Sequence, residues 1–331
     1  MPAVQDAASP CFAMGERPRR RVAVVFNPVS ARAGAPQRRR EVLEALAATG
    51  AEVLLEETTE DDLGQEATRR ALERGAELVI AAGGDGTVMA CASVLTGGAV
   101  PLAVLPSGTG NLLAVNLGLP DDLEGAVEAA LHGRRRRLDV GLLDGGRFLF
   151  MSGIGFDAAM VRDADPTLKG RVGAFAYLLS GLRQLGRRPV EFHITLDGLP
   201  PFSRVGQGVL FGNLGRLQGG LEVLPGAEPD DGVLEVGVLG TRSLADWLRL
   251  AGQVPLRRRS RRPAGPPLEV FRARRVEVDC SRPQPVERDG EPAPPRRHFV
   301  AEVLPLALTL CVPARSEDES GPGAQEEVAN Q

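Results

Sequence analysis

The chain has 331 residues, 25% of them charged and 43% apolar, with 39 basic and 43 acidic side chains and a formal net charge of −4. These fractions are ordinary for a globular protein, and the length allows two domains around a large core. The negative balance sits in residues 315–331, with five acids and one Arg, leaving 38 of each sign elsewhere; nothing global favours nucleic acid, and no nucleic-acid partner is expected.

Four cysteines (Cys11, Cys91, Cys280, Cys311) are scattered without a CxxC pair, which supports neither a disulfide framework nor a zinc site. No run approaches the roughly 18 apolar residues of a membrane span. The N-terminus lacks a signal pattern and the C-terminus a lipidated cysteine. A cytoplasmic protein is expected, with any membrane contact peripheral and at the inner face.

Residues 1–20 read as a flexible leader. Arg21–Phe26 is then a strand ended by Asn27-Pro28-Val29-Ser30, a loop signal. Val42, Leu43, Leu46 and Ala47 have helical spacing within 37–49, and Gly50 stops that helix. A strand over 51–55 closes on Glu56-Glu57-Thr58-Thr59, followed by a helix over 61–74. Leu78-Val79-Ile80-Ala81-Ala82 is too short for a helix and reads as a strand buried on both faces. It runs into Gly83-Gly84-Asp85-Gly86-Thr87, read as a turn, with a helix from Val88 to Leu95. A fourth strand over 101–105 enters Pro106-Ser107-Gly108-Thr109-Gly110-Asn111, then a helix over 112–117 and another over 121–132. This rhythm predicts a doubly wound parallel α/β nucleotide-binding domain over 21–134.

From Arg135 the pattern changes. Strands over 138–143 and 147–151 flank Asp144-Gly145-Gly146, and Asp197-Gly198, Asp231-Gly232 and Asp289-Gly290 are further turn signals. A mostly antiparallel β-sandwich domain is expected over 135–300, interrupted by helices at 173–185 and 243–253 and a basic, proline-rich linker at 257–267. The last strands fall in 299–312, and 314–331 is an acidic tail expected to be disordered. The arginine clusters at Arg134–Arg137 and Arg257–Arg262 read either as solvated linker charge or as a surface for anionic lipid, where each basic side chain is worth about 1 kcal/mol.

In doubly wound sheets ligands gather at the carboxyl ends of the strands. Four such ends offer Asn27 and Ser30, Thr58 and Thr59, Gly83 to Thr87, and Ser107 to Asn111 to one crevice. A strand turning through glycines into a helix brings bare N–H groups and a helix N-terminus to one point, where phosphate is well held. Asp85 is out of place in a bare phosphate cradle, because a carboxylate repels phosphate unless a cation lies between. It implies a nucleotide with its metal, or a carboxylate that handles a proton. There is no Walker-type lysine loop. Gly153-x-Gly155-x-x-Ala158 imitates a dinucleotide fingerprint, but no acid ends a next strand about 20 residues on.

Six motifs follow one another in a specific order: Asn27-Pro28-x-Ser30, Gly83-Gly84-Asp85-Gly86-Thr87, Leu105-Pro106-x-Gly108-Thr109-x-Asn111, Gly153-x-Gly155-x-Asp157-Ala158, Asp231-Gly232-x-Leu234 and Asp289-Gly290-Glu291. In them the chain resembles the diacylglycerol kinase catalytic-domain family in its bacterial form, a family that includes sphingosine and ceramide kinases. The resemblance covers 21–312. The glycine pentad alone is shared with NAD kinases and phosphofructokinases; the six together are specific.

The resemblance implies an active site in the cleft between a nucleotide domain and a β-sandwich domain, with residues 301–313 returning to the first domain. It implies ATP and Mg2+ as cofactors and a membrane lipid, diacylglycerol-like or sphingoid-like, as hydroxyl acceptor. Asn27, Ser30, Thr58, Thr59, Gly83, Gly84, Asp85, Gly86, Thr87, Gly108, Thr109 and Asn111 would then hold the nucleotide. Asp85 would act through magnesium and the phosphates, and Glu291 as general base toward the lipid hydroxyl. Asp231, with the backbone carbonyls of Glu228 and Val233, would hold a structural metal ion. The chain departs from the family pattern at Ala31, usually Gly; at Leu112, commonly Asp; and at Met89-Ala90, often Asn-Glu. Two alternatives stay open: an NAD kinase-like phosphotransferase of the same clan with a soluble acceptor, and a nucleotide-binding regulator without catalysis, motivated by the two absent acids. Oligomeric state is not legible, and a homodimer is left open.

Overall fold

The computed structural model describes residues 20–30, 35–106, 111–155, 189–216, 222–240 and 268–314. Gly108, Thr109, Ala31, Asp157, the helices expected at 173–185 and 243–253, the Arg257–Arg262 cluster, the leader to residue 19 and the tail from residue 315 lie outside the described residues.

Four parallel strands, β1 (Arg21–Phe26), β2 (Glu52–Glu57), β3 (Leu78–Gly83) and β4 (Leu102–Pro106), lie side by side in the order β2-β1-β3-β4. Alternation along β1 sorts its side chains onto two cores. Ala23 and Val25 pack with α2 (Gln65–Glu73) and α3 (Asp85–Leu95); Val22, Val24 and Phe26 pack with α1 (Ala35–Ala47) and α5 (Leu123–Leu131). Helices therefore cover both faces, and all six residues of β3 are buried. The expected doubly wound domain is present. A fifth short helix, α4 (Leu112–Leu117), follows β4.

The second half is built of β5 (Arg134–Leu143), β6 (Gly146–Phe148), β7 (Met151–Ile154), β8 (Val190–Leu196), β9 (Phe202–Gly206), β10 (Gly208–Gly212), β11 (Leu234–Leu239), β12 (Leu268–Ala273), β13 (Arg275–Arg288) and β14 (Glu291–Val312). Pairing among them is antiparallel, and Phe148, Phe192, Phe211 and Phe299 fill the core. Three Asp-Gly pairs close hairpins as expected. Asp144, Asp197 and Asp289 have φ near 50° and the glycine after each has φ of 73–87°, the double left-handed geometry of two-residue turns. Asp231-Gly232 is different: only Gly232 has positive φ, and the pair leads into β11 rather than joining two paired strands.

Two readings need correction. Arg134–Arg137 is not a linker, because it begins β5 and pairs with the end of β14, Arg134 opposite Val312. Arg136 makes a bidentate pair with Asp230 (2.8 and 2.9 Å) and Arg135 donates to the Ala130 and Gly133 carbonyls, leaving Arg134 and Arg137 exposed. The glycine pentad is also less of a turn than expected: Gly83 ends β3, Gly84 caps α3, and Asp85, Gly86 and Thr87 are the helix's first turn.

β14 joins the two halves. Its 22 residues pair with β13 and β5 and then, at Leu310, with Leu102 of β4. Where it changes company the register against β5 shifts between Leu304 and Leu308, and Leu306 takes φ 49°. The Asp139 carboxylate accepts the Leu306 amide there (2.6 Å). One sheet of 14 strands thus runs through both cores.

Candidate active site

The parallel registers bring the ends of β1, β2 and β3 level, with Phe26 opposite both Glu57 and Ala82, and Gly83 opposite Pro106 of β4. Asn27, Thr58 and Gly84 therefore meet at one edge, as expected. Much of their polarity is spent on each other. Asn27 donates through Nδ2 to Thr87 Oγ1 (3.0 Å) and accepts the Val29 and Ser30 amides on Oδ1; the Ser30 hydroxyl donates to the Asn27 carbonyl. Thr58 is buried and its amide donates to Phe26. Thr59 accepts the Asp62 amide. Asp62 in turn accepts three amides at the start of α2, from Gly64, Glu66 and Ala67; burial pushes it up, but these donors with Arg70 hold it below the ordinary carboxylate value.

The glycines differ in reason. A Cβ on Gly83 would meet the Thr87 side chain at 2.6 Å, whereas one on Gly86 would meet nothing within 4 Å. Gly83 is thus required by close packing, and Gly86 faces open space at a helix start whose cap, Gly84, offers the first-turn amides no side-chain acceptor. That arrangement fits a phosphate. Gly83→Ala should displace Thr87 and break its bond to Asn27, lowering stability by about 1–3 kcal/mol; thermal melting checks it, and an unchanged melting temperature would refute the packing argument.

Asp85 is the first residue of α3, and its carboxylate accepts the Leu112 amide at 2.7 Å. Desolvation raises its pKa against the pull of that amide and those of Asn111 and Asp85 itself. Across the seam lies Asp289, in the turn between β13 and β14. Its carboxylate accepts three consecutive amides, Leu149 (2.6 Å), Phe150 (2.9 Å) and Met151 (2.9 Å). The residue is only partly buried, yet the carboxylate itself is desolvated and pushed up to about 7; the three amides oppose this and the charge of Asp85 adds to it. The two acids are therefore electrostatic neighbours.

Packing explains the approach. Leu149 and Phe150 belong to the same buried cluster as Val88 of α3 and Leu113 of α4. The segment whose amides hold Asp289 is thus anchored by its side chains in the first domain. Glu287 secures the other side of the turn, accepting the Gly290 amide at 2.7 Å, while its own carbonyl accepts the Ser152 hydroxyl. Glu291, the next residue after this doubly held turn, is exposed at the start of β14.

Glu287 is buried, and desolvation, with the charge of Asp289, raises it to about 7 despite the Gly290 amide. A carboxyl whose folded pKa is raised contributes its stability below the ordinary value near 4.5, and loses it as pH rises through about 7. Glu287→Gln keeps the acceptor for Gly290 and removes the ionisation. The variant should melt higher than wild type at pH 8 and close to it at pH 5, and parallel pH profiles would refute the burial argument.

The Asp231 loop is crowded with charge. Asp231 accepts the Val233 amide (3.1 Å) and a donor from Arg272, whose Nε also pairs with buried Glu235 at 3.0 Å. Asp139, fully buried beneath it, accepts the Gly232 amide (2.6 Å), and burial raises its pKa. Among the described residues no three acid, histidine or cysteine side chains converge as a metal site. An ion at Asp231 would need the carbonyls of Glu228 and Val233, oxygen donors that suit a hard cation, and would share its carboxylate with Arg272.

Residues 21–143 match the family model of the diacylglycerol kinase catalytic domain, and residues 151–312 that of the YegS C-terminal NAD kinase beta sandwich-like domain. The chain belongs to the diacylglycerol kinase catalytic-domain family. It is 30% identical over 284 residues to a diacylglycerol kinase of Bacillus subtilis (82% of this chain, 90% of that one). It is 34% identical over 289 residues to a "Probable lipid kinase YegS-like" of Pseudomonas aeruginosa (83% and 91%). The crystal structure of a diacylglycerol kinase from Bacillus anthracis shares the fold with a TM-score of 0.66 at 22% identity, covering 90% of this chain and 98% of that one. Family membership makes the protein a phosphotransferase of the kinase type.

For this kinase the departure at Leu112 is softened by geometry, since Asp85 uses the Leu112 amide, which any residue but proline supplies. Asp139, Glu287 and Asp62 escaped the reading of the sequence. Asp139 had a usable signal, an acid between Leu138 and Val140 in an apolar strand. Glu287 had none, because only the fold shows it buried.

Proposed function

We propose that the protein transfers the γ-phosphoryl group of ATP, with Mg2+, to a hydroxyl of a diacylglycerol-like or sphingoid-like membrane lipid, working at the cytoplasmic face of the membrane. The observation that carries this reading is the clamp of Asp289 on the Leu149–Met151 amides, which holds the Asp289-Gly290-Glu291 turn within electrostatic reach of Asp85. It supports one centre with a nucleotide-side acid and an acceptor-side acid.

Phosphoryl transfer needs positioning and charge neutralisation more than covalent chemistry. The first-turn amides of α3 and the open space at Gly86 bind and orient phosphate oxygens, joined in this reading by Thr109, which lies outside the described residues. Magnesium, when bound, supplies charge neutralisation between Asp85 and the phosphates. Glu291 takes the proton of the acceptor hydroxyl, late in the transfer. Asp231, with the carbonyls of Glu228 and Val233, holds a structural cation away from the chemistry. Among the described residues no helix is long and apolar enough to cross a membrane; in this reading the acceptor is reached from the membrane surface.

Purified protein with labelled ATP, Mg2+ and a mixed lipid extract should yield labelled phospholipid, with NAD supplied in parallel as a soluble acceptor. Label on NAD alone would replace the lipid reading by the NAD kinase-like one. Nucleotide binding without transfer to either would favour a regulator, a second reading motivated by the apolar side chains at Leu112 and Met89-Ala90.

A further inference from the structure

The short helix α4 touches both halves of the site. At its first residue the Leu112 amide donates to Asp85. Leu113 then packs in the same buried cluster as Leu214, which follows β10 in the second domain. One turn further, Asn116 donates from Nδ2 to the Arg216 carbonyl (2.8 Å) and accepts the Arg216 amide on Oδ1 (3.2 Å). The remaining Nδ2 hydrogen goes to the Leu112 carbonyl within the helix (2.9 Å).

An amide side chain has two N–H donors and one carbonyl, and here all are engaged. Two of the three bonds run to both backbone groups of one residue 100 positions away, so the side chain pairs with Arg216 as a strand edge would. Helix capping does not explain this, because α4 is closed by Gly118 at φ 63° with its amide on the Ala114 carbonyl. Nor does burial, because Asn116 is only partly covered. Arg216 in turn bridges Glu222, forming the stem from which the chain continues to the Glu228–Asp231 loop.

We propose that α4 is a strut fixing the Arg216 stem of the acceptor-side domain relative to Asp85, and that Asn116 is the positioning residue that locks it. Six residues span only about 9 Å, too short to bend appreciably. A displacement at the Asp85 end when nucleotide binds is therefore passed to Arg216, provided that Asn116 holds it. The turnover arm of the following test rests on the lipid-kinase reading; the exchange arm rests on nucleotide binding alone.

Amide hydrogen exchange at Arg216 is measured in the full chain, with and without a non-hydrolysable ATP analogue, in wild type and Asn116→Ala. Wild type should show Arg216 protected further by the analogue. The variant should exchange there about tenfold faster with no response to the analogue, while analogue affinity stays within about twofold, as loss of a single coupling contact implies. With lipid as acceptor, kcat should fall about tenfold at unchanged KM for ATP. Arg216→Pro, which deletes the Arg216 amide and with it the bond to Asn116 Oδ1 from the other side, carries no exchangeable amide there and is read by turnover alone: kcat should fall by a comparable factor at unchanged KM for ATP. Exchange at Arg216 unaltered in Asn116→Ala overturns the strut, and so does faster exchange with the analogue response and kcat retained, which would make the contact local packing. Should wild type phosphorylate no lipid, the lipid reading fails on its own and the analogue response alone decides: lost in the variant supports the strut, kept refutes it.

Discussion

Asp85→Asn should reduce phosphoryl transfer at least about 100-fold, the usual cost of removing one preorganised charged group from a transfer site, without lowering the melting temperature. The substitution keeps an oxygen for the Leu112 amide, so the start of α4 stays where it is. What disappears is the negative charge, which in the proposed function serves the metal–phosphate side of the reaction, and which works against the fold, since it adds to the upward shift of Asp289. Activity and stability therefore move in opposite directions. Transfer rates with labelled ATP and calorimetric melting of the same samples check the pair. A variant that keeps more than about a tenth of the rate would remove Asp85 from the chemistry.

Glu291→Gln should lower transfer by about 10²- to 10⁴-fold, the range for loss of a general base, while nucleotide affinity stays near wild type. The separation follows from position. Glu291 stands opposite Arg288 across the β13–β14 turn, exposed, and among the described residues Asn27, Ser30, Asp85 and Thr87 make their hydrogen bonds with other partners. The turn itself is held by Asp289 and Glu287, so the glutamine is presented as the glutamate was. Turnover measured beside equilibrium binding of an ATP analogue tests this. Full activity in Glu291→Gln would move the base elsewhere, and a loss of nucleotide affinity equal to the loss of rate would make the residue part of the nucleotide site.

The first domain was legible because each of its signals is local. The apolar run Leu78–Ala82 flanked by helical periods has one reading, and β3 is buried throughout. Asp-Gly at 144–145, 197–198 and 289–290 forecast hairpins because two consecutive left-handed residues are tolerated by few other pairs. Errors arose where pairing at long range overrides local pattern. Arg134–Arg137 has no strand signal of its own; it is a strand because the end of β14 lies alongside and Asp230 neutralises Arg136. The clustered glycines of the pentad read as a turn, yet none of the three has positive φ, and Gly83 is small to admit Thr87.

The sequence by itself determined the family, the order of strands and helices, and which acids deserved attention, because motif spacing and periodicity are properties of neighbouring residues. Tertiary structure alone decided how those acids are used. The approach of Asp289 to Asp85 depends on Leu149 and Phe150 entering the core beside α3, on three amides converging on one carboxylate, and on β14 crossing from one sheet region to the other. The hydrogen bond between Phe150 and Asp289 and the electrostatic link from Asp289 to Asp85 leave no trace in local pattern, since the free energy that enforces them comes from burial shared by segments far apart in the chain.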